Sequence, residues 1–160
     1  MGVSGCGKTS LGEALAESCG LTFIDGDDLH PKANVEKMRR GEPLTDEDRA
    51  PWLVLVGQAL ARAHGPAAIG CSALKRNYRD VIRAEAGAPV AFVHLHAPKD
   101  VLARRVEARK GHFMPAGLLE SQFEALELMG DDELGHVVDI DQPLDSVVAE
   151  ARAYVLQVAS

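Results

Sequence analysis

The sequence predicts an α/β domain of three layers, α/β/α, in which a mainly parallel sheet is covered by helices on both faces. Three observations predict it. Short apolar runs alternate with longer segments of helical period along the whole chain. The runs are apolar on both sides, as strands buried on both faces must be. Polar residues gather where the runs end, at Asp25-Gly26-Asp27, at Ser72, and at His94 with His96. Ligands of such sheets sit beyond those ends.

Each element follows from local chemistry. Thr9 to Cys19 places Leu11, Ala14, Leu15 and Ala16 at helical spacing, and Gly20 stops it. Leu21-Thr22-Phe23-Ile24 reads as a strand ending at Asp25. Pro31 to Arg40 reads as a helix closed by Gly41. Thr45 is a helix cap followed by Asp46, Glu47 and Asp48, and Pro51 suits the first turn of a helix reaching Ala63. Ala67 to Cys71 is the next strand, and Arg76 to Ala86 the next helix. Val90 to Leu95 is a strand, followed by helices over Pro98–Arg109 and Ala116–Leu128. Val137 to Ile140 is the last strand, and Leu144 to Val158 the last helix.

A chain of 160 residues with 46% hydrophobic content suits one domain with one core. Its net charge of −7 argues against a general nucleic-acid binder. No apolar run approaches the roughly 20 residues that cross a bilayer. No charged-then-apolar leader opens the chain, so a cytoplasmic location is expected. Cys6, Cys19 and Cys71 show neither metal spacing nor a disulfide framework.

Gly2-Val3-Ser4-Gly5-Cys6-Gly7-Lys8-Thr9 fits G-x-x-x-x-G-K-[ST] at every fixed position. In such a phosphate loop the glycines let backbone N–H groups turn toward a polyphosphate. Lys8 reaches the β- and γ-phosphates, and the Thr9 hydroxyl is placed to hold Mg²⁺, with Ser10 beside it. The following helix adds the positive end of its dipole. The site therefore takes a nucleoside triphosphate with Mg²⁺. Cys6 reads as a small loop residue, with a reactive thiol beside Lys8 as the alternative. A loop of this kind follows a central strand, and that strand is missing, because only Met1 precedes Gly2. Either the chain begins late or another segment fills the gap.

Asp25 and Asp27 flank a glycine after a strand. Alternate residues of an extended segment point the same way, so both carboxylates are expected to face the loop. Asp25 is assigned to the metal side and Asp27 to the base that takes a hydroxyl proton, with the order of the two left open. The competing reading is an Asp-rich turn that caps the next helix.

Several blocks carry a more specific resemblance. They are Asp25-Gly26-Asp27-Asp28-Leu29-His30-Pro31, Asn34, Lys37-Met38, Gly41-Glu42-Pro43-Leu44, Asp46-Glu47-Asp48-Arg49 and Pro51-Trp52-Leu53. They continue with Cys71-Ser72-Ala73-Leu74-Lys75, Tyr78-Arg79-Asp80, Arg109-Lys110-Gly111-His112-Phe113, Gln122-Phe123 and Asp139-Ile140-Asp141-Gln142-Pro143. In this order the chain resembles the gluconate kinases (gluconokinases). The resemblance implies a P-loop kinase fold and transfer of the γ-phosphoryl of ATP to the 6-hydroxyl of D-gluconate. It also implies a homodimer and no nucleic-acid or membrane partner.

Gluconate, a carboxylate bearing hydroxyls, needs a cationic fork and hydrogen-bonding groups. Within the resembling segments the expected contacts are Asp27, His30, Lys37, Arg49, Ser72, Lys75 and Arg79, with Arg49 and Arg79 the first choices for the carboxylate or hydroxyls. Arg39, Arg40, Arg62, Arg83 and Lys99 are read as surface charges, and Trp52 as core. Residues 109–116 are expected to form a small lid on the domain. Arg109 would neutralise charge on the transferring group, and Arg105 would stack on adenine. Asp141-Gln142-Pro143 resembles the loop that frames adenine. The rivals are a shikimate- or nucleotide-kinase-like enzyme and a nucleotide-binding relative without transfer activity.

Overall fold

The computed structural model describes residues 1–108 and 116–159. Strands β1 (Thr22–Asp25) and β2 (Ala67–Gly70) pair in parallel, with Asp25 opposite Gly70. Strands β3 (Phe92–His96) and β4 (Gly135–Asp139) form a second parallel pair, with His96 opposite Asp139. The helices between them are α1 (Lys8–Cys19), α2 (Lys32–Arg39), α3 (Asp46–Ala61), α4 (Arg76–Ala86), α5 (Lys99–Ala108), α6 (Ala116–Ala125) and α7 (Leu144–Val158).

Each strand has one side chain set for each face, and the core divides accordingly. On one face α1 and α7 pack with α5, burying Leu11, Leu15, Leu95, Leu102, Val138 and Val147. On the other, α3 packs on α4 and buries Trp52, Leu53, Val56, Tyr78, Ile82 and Phe92.

Among the described residues no strand lies between β2 and β3. Residues 1–2 bridge the two pairs at their carboxyl ends. The Gly2 N–H donates to the Ser72 carbonyl at 3.1 Å, and the Leu95 N–H donates to the Met1 carbonyl at 3.0 Å. Below this bridge lies a cavity of about 490 Å³ lined by Leu15, Phe23, Ile69, Val93 and Leu95, among others. The expected gap in the sheet is thus filled at one end only.

Three local differences from the sequence reading have physical causes. The strand expected over Val90–Leu95 pairs as Phe92–His96, because its limits are set by the ladder with β4. The helix expected to reach Leu128 ends at Ala125, and the Glu127 N–H instead donates to the Leu74 carbonyl at 2.8 Å. Residues Gly26–Leu29 are not extended but form a short 3₁₀ turn, capped by the Asp25 side chain, which accepts from the Asp27 N–H at 3.0 Å. The alternation argument for Asp25 and Asp27 therefore does not apply, and the capping role weighed against it is present.

Candidate active site

The glycine-rich segment leads from the Met1–Gly2 bridge into α1 within a few residues. Gly5 (φ 81) and Gly7 (φ 96) take left-handed conformations that an L side chain rarely adopts. Gly7 is the N-cap of α1 and offers no side-chain cap, so the first N–H groups of the helix remain for an anion. The Lys8 ammonium donates to the carbonyls of Gly2 and Val3, both at 3.1 Å, which draws the loop around its own lysine. From α6, Gln122 clamps the loop: it accepts from the Ser4 N–H at 2.6 Å and donates to the Ser4 hydroxyl at 3.0 Å.

This loop forms one wall of a cleft of about 400 Å³. Lys8 and Thr9 line it on that side. Asp25, Asp27 and His30, from the end of β1 and the turn after it, line it with Arg49 and Trp52 of α3 and Ser72 after β2. Gly26 lets the turn press against β2, because a Cβ there would meet the Gly70 carbonyl. Trp52 fixes the same turn through its indole N–H, which donates to the Gly26 carbonyl at 2.8 Å.

The two aspartates are not equivalent. Asp25 is engaged: one oxygen caps the turn, and the other accepts from the Thr9 hydroxyl at 3.5 Å. The Asp27 carboxylate takes no hydrogen bond from the described residues. Burial pushes its carboxyl up from the ordinary 3.8, and the charge of Lys8 across the cleft pulls the other way. His30 lies on Trp52, with ring centroids 4.1 Å apart and 15° between planes. Burial, then the nearby Arg49 charge, lowers its imidazole to about 4, so it is uncharged at neutral pH. Among the described residues no group of three or more His, Cys, Asp or Glu could hold a metal ion. Thr9 and Asp25 supply two hard oxygen donors, a set that suits Mg²⁺, which keeps most of its waters and takes the rest of its ligands from phosphates.

The AAA domain family matches residues 1–128. The chain is 47% identical over 153 residues to the thermoresistant gluconokinase of Escherichia coli (strain K12), covering 93% of this chain and 87% of that protein. The chain belongs to the gluconokinase family. It is 52% identical over 137 residues to the gluconokinase of Gluconobacter oxydans (strain 621H), covering 83% of this chain and 76% of that one. The crystal structure of a gluconokinase from Sinorhizobium meliloti 1021 superposes with a TM-score of 0.92 at 51% identity, covering 99% and 90% of the two chains. The fold is accordingly that of a P-loop kinase, with parallel strands between layers of helices.

Within this gluconokinase-family site, three of the basic residues expected at the substrate are elsewhere. Arg79 is 0% exposed. Its guanidinium makes two 2.7 Å bonds to Glu133 and donates to the carbonyls of Ala73, Leu74 and Glu127 at 3.2, 3.3 and 3.2 Å. It braces the turn at Ala73 (φ 45), next to Ser72, rather than facing the cleft. Lys37 pairs with Asp48 at 2.5 Å, and Lys75 binds both oxygens of Asp46 at 2.9 Å. The cause is the acidic first turn of α3. Asp46, Glu47 and Asp48 follow the Thr45 capping box, and their charge collects cations. Neither Lys37 nor Lys75 lines the cleft, and Arg49 does. Arg83, read as a surface charge, instead joins Glu133 at 3.0 Å and lies over the Phe92 ring.

Other expectations divide. Cys6 is 2% exposed, packs with the Val3 cluster and lies 3.9 Å from the Lys8 ammonium, a placement that suits the small loop residue of the sequence reading. The Arg105 guanidinium donates to the Ile140 carbonyl, which brings α5 beside Asp141, Gln142 and Pro143. Gln142 donates to the Asp139 carbonyl at 2.7 Å. His94 is buried among core side chains and His96 does not line the cleft. Arg109, His112 and nearly all of the expected lid lie outside the described residues. The sequence reading gave Trp52 to the core alone and no role to Gln122. Trp52 adjoining the Asp-rich turn was the available signal, whereas nothing in the chain near Gln122 indicates its partner on the loop.

Proposed function

We propose that this protein transfers the γ-phosphoryl group of ATP to the 6-hydroxyl of D-gluconate, giving 6-phospho-D-gluconate and ADP. The observation that carries this reading is the placement of Lys8 and an Asp27 carboxylate without a hydrogen bond from the described residues on one cleft, where the Lys8 charge acts on Asp27. Names of relatives supply the sugar acid; the cleft supplies the chemistry.

The loop N–H groups and Lys8 hold the phosphates, and the first turn of α1 adds its dipole. Mg²⁺ held through Thr9 and Asp25 would neutralise charge on the phosphates. Arg49, His30 and Ser72 orient the acid so that its 6-hydroxyl meets the γ-phosphorus. As the hydroxyl oxygen bonds to phosphorus, its proton passes to Asp27, and the bond from phosphorus to the ADP oxygen breaks. The raised Asp27 carboxyl is a better proton acceptor than an ordinary aspartate, so long as the pH stays above its titration. Arg105 with Asp141, Gln142 and Pro143 is assigned to adenine. Residues 109–116 are assigned to a lid on a single domain, with Arg109 reaching the transferring group and closure excluding water. A homodimer is the assembly we assign.

An ADP-release assay with gluconate, shikimate and nucleoside monophosphates tests the reading. ADP release that depends on gluconate alone is the expected result. Equal release with shikimate or a nucleotide, or none with gluconate, would remove it.

A further inference from the structure

The rings around His30 fix more than its position. Its plane is set by the stack on Trp52, and Trp52 is itself tied to the Gly26 carbonyl. Its Nδ1 lies 3.3 Å from Nδ2 of Asn34. Asn34 is 4% exposed, and the same Nδ2 lies 2.8 Å from the Asp48 carbonyl oxygen. A carbonyl only accepts, so the Asn34 amide must turn its nitrogen, not its oxygen, to that point. An amide nitrogen carries two hydrogens and no lone pair for bonding. One hydrogen serves Asp48 and the other serves His30 Nδ1. Nδ1 is therefore an acceptor, and in an uncharged ring the proton must sit on Nε2.

Resting on the gluconate reading above, we infer that Asn34 is a positioning residue that locks His30 in the Nε2–H tautomer, and that this N–H donates to the carboxylate of the sugar acid beside Arg49. The chemistry divides cleanly between the two side chains. Arg49 supplies the charge, and His30 supplies a directed donor without a second charge. An imidazole free to exchange tautomers would present a lone pair to the carboxylate part of the time, which repels it. Asn34 removes that state from the ensemble before substrate arrives, as preorganised binding requires. Its own orientation comes from backbone: the Asp48 carbonyl belongs to the first turn of α3, the same turn whose cap begins at Thr45.

The tautomer is read directly by long-range ¹⁵N–¹H correlation of the histidine rings, with the His30 signals assigned by their loss in His30→Gln. The expected wild-type spectrum has a pyrrole-type Nε2 and a pyridine-type Nδ1. In Asn34→Asp the carboxylate accepts from Nδ1, so the pattern reverses. The KM for gluconate then rises by about tenfold or more, the scale of one hydrogen bond to a charged group, while the KM for ATP holds. His30→Gln, whose amide reaches the Nε2 position, keeps a lower gluconate KM than His30→Asn, whose amide reaches only Nδ1. The inference is overturned by an Nδ1–H wild type, by a reversed tautomer with unchanged gluconate KM, or by His30→Asn outperforming His30→Gln. Should Asn34→Asp not fold, the wild-type spectrum and the two His30 variants still decide. Absence of gluconate-dependent ADP release in the wild type would instead remove the substrate reading, and with it the carboxylate as acceptor.

Discussion

Arg79→Met separates a structural role for this residue from the substrate role its sequence neighbourhood suggests. The substitution keeps most of the stem volume and deletes the guanidinium. Glu133 loses both 2.7 Å bonds and retains only Arg83 and the Gly130 N–H, at 3.0 and 3.1 Å. The carbonyls of Ala73 and Glu127 lose the Arg79 donor in the same step, and that of Leu74 keeps only the Glu127 N–H at 2.8 Å. Removing one partner of a buried ion pair costs about 3–5 kcal/mol. In a chain of this size each kcal/mol lowers Tm by about 2–4 °C, so a fall of roughly 6–20 °C is expected by calorimetry or urea unfolding. The pH dependence supplies a second reading. Hydrogen bonds from Arg79 lower the Glu133 carboxyl from its ordinary 4.5 to about 2. A carboxyl depressed on folding adds stability above its unfolded pKa and loses it as pH falls through the folded value. Wild-type stability should thus decline between about pH 4.5 and 2 in part through Glu133, and Arg79→Met should flatten that limb. Adding Glu133→Leu to Arg79→Met should recover part of the loss but not all, since the Ala73 and Glu127 carbonyls still lack the Arg79 donor. A variant with unchanged Tm and a gluconate KM raised about tenfold would refute the bracing role and return Arg79 to the substrate.

Asp27→Asn should lower turnover by at least about 100-fold and raise the Tm of the free protein at neutral pH. The sign follows from burial: Asp27 titrates higher folded than unfolded, so its charge disfavours the fold above that pH and the amide relieves it. A near-native rate in purified Asp27→Asn would overturn the base assignment. Gly26→Ala should drive a methyl group against the Gly70 carbonyl and move the turn carrying Asp27, lowering kcat by about 100-fold with the KM for ATP little changed, as steady-state kinetics would show. Thr45→Ala removes the oxygen that accepts from the Asp48 N–H at 3.2 Å and should cost about 1 kcal/mol, read from urea unfolding midpoints.

The identity of the elements was legible in the sequence because it rests on local rules. Helical spacing, the Gly20 stop, the Thr45 cap and the alternation of apolar runs each act within a few residues. The phosphate loop was legible for the same reason, since its glycines, Lys8 and Thr9 are consecutive. The substrate side was read less well. Lys37, Arg49, Lys75 and Arg79 look alike in a sequence, and each stood beside a resembling block. Lys37, Lys75 and Arg79 were taken by carboxylates elsewhere in the chain, Asp48, Asp46 and Glu133, while Arg49 donates to the Leu44 carbonyl. Glu133 gives no local sign that it will meet Arg79, 54 residues away.

The sequence alone determined that a glycine-lined anion cradle would open a helix, and that an acidic turn would follow the next strand. Those features depend on backbone conformation, which neighbouring residues dictate. Only the tertiary structure decided which cations line the cleft, which aspartate keeps an open carboxylate, and which side chains flank His30. Those outcomes depend on competition among charged and hydrogen-bonding groups for partners, and packing, rather than chain order, settles who meets whom.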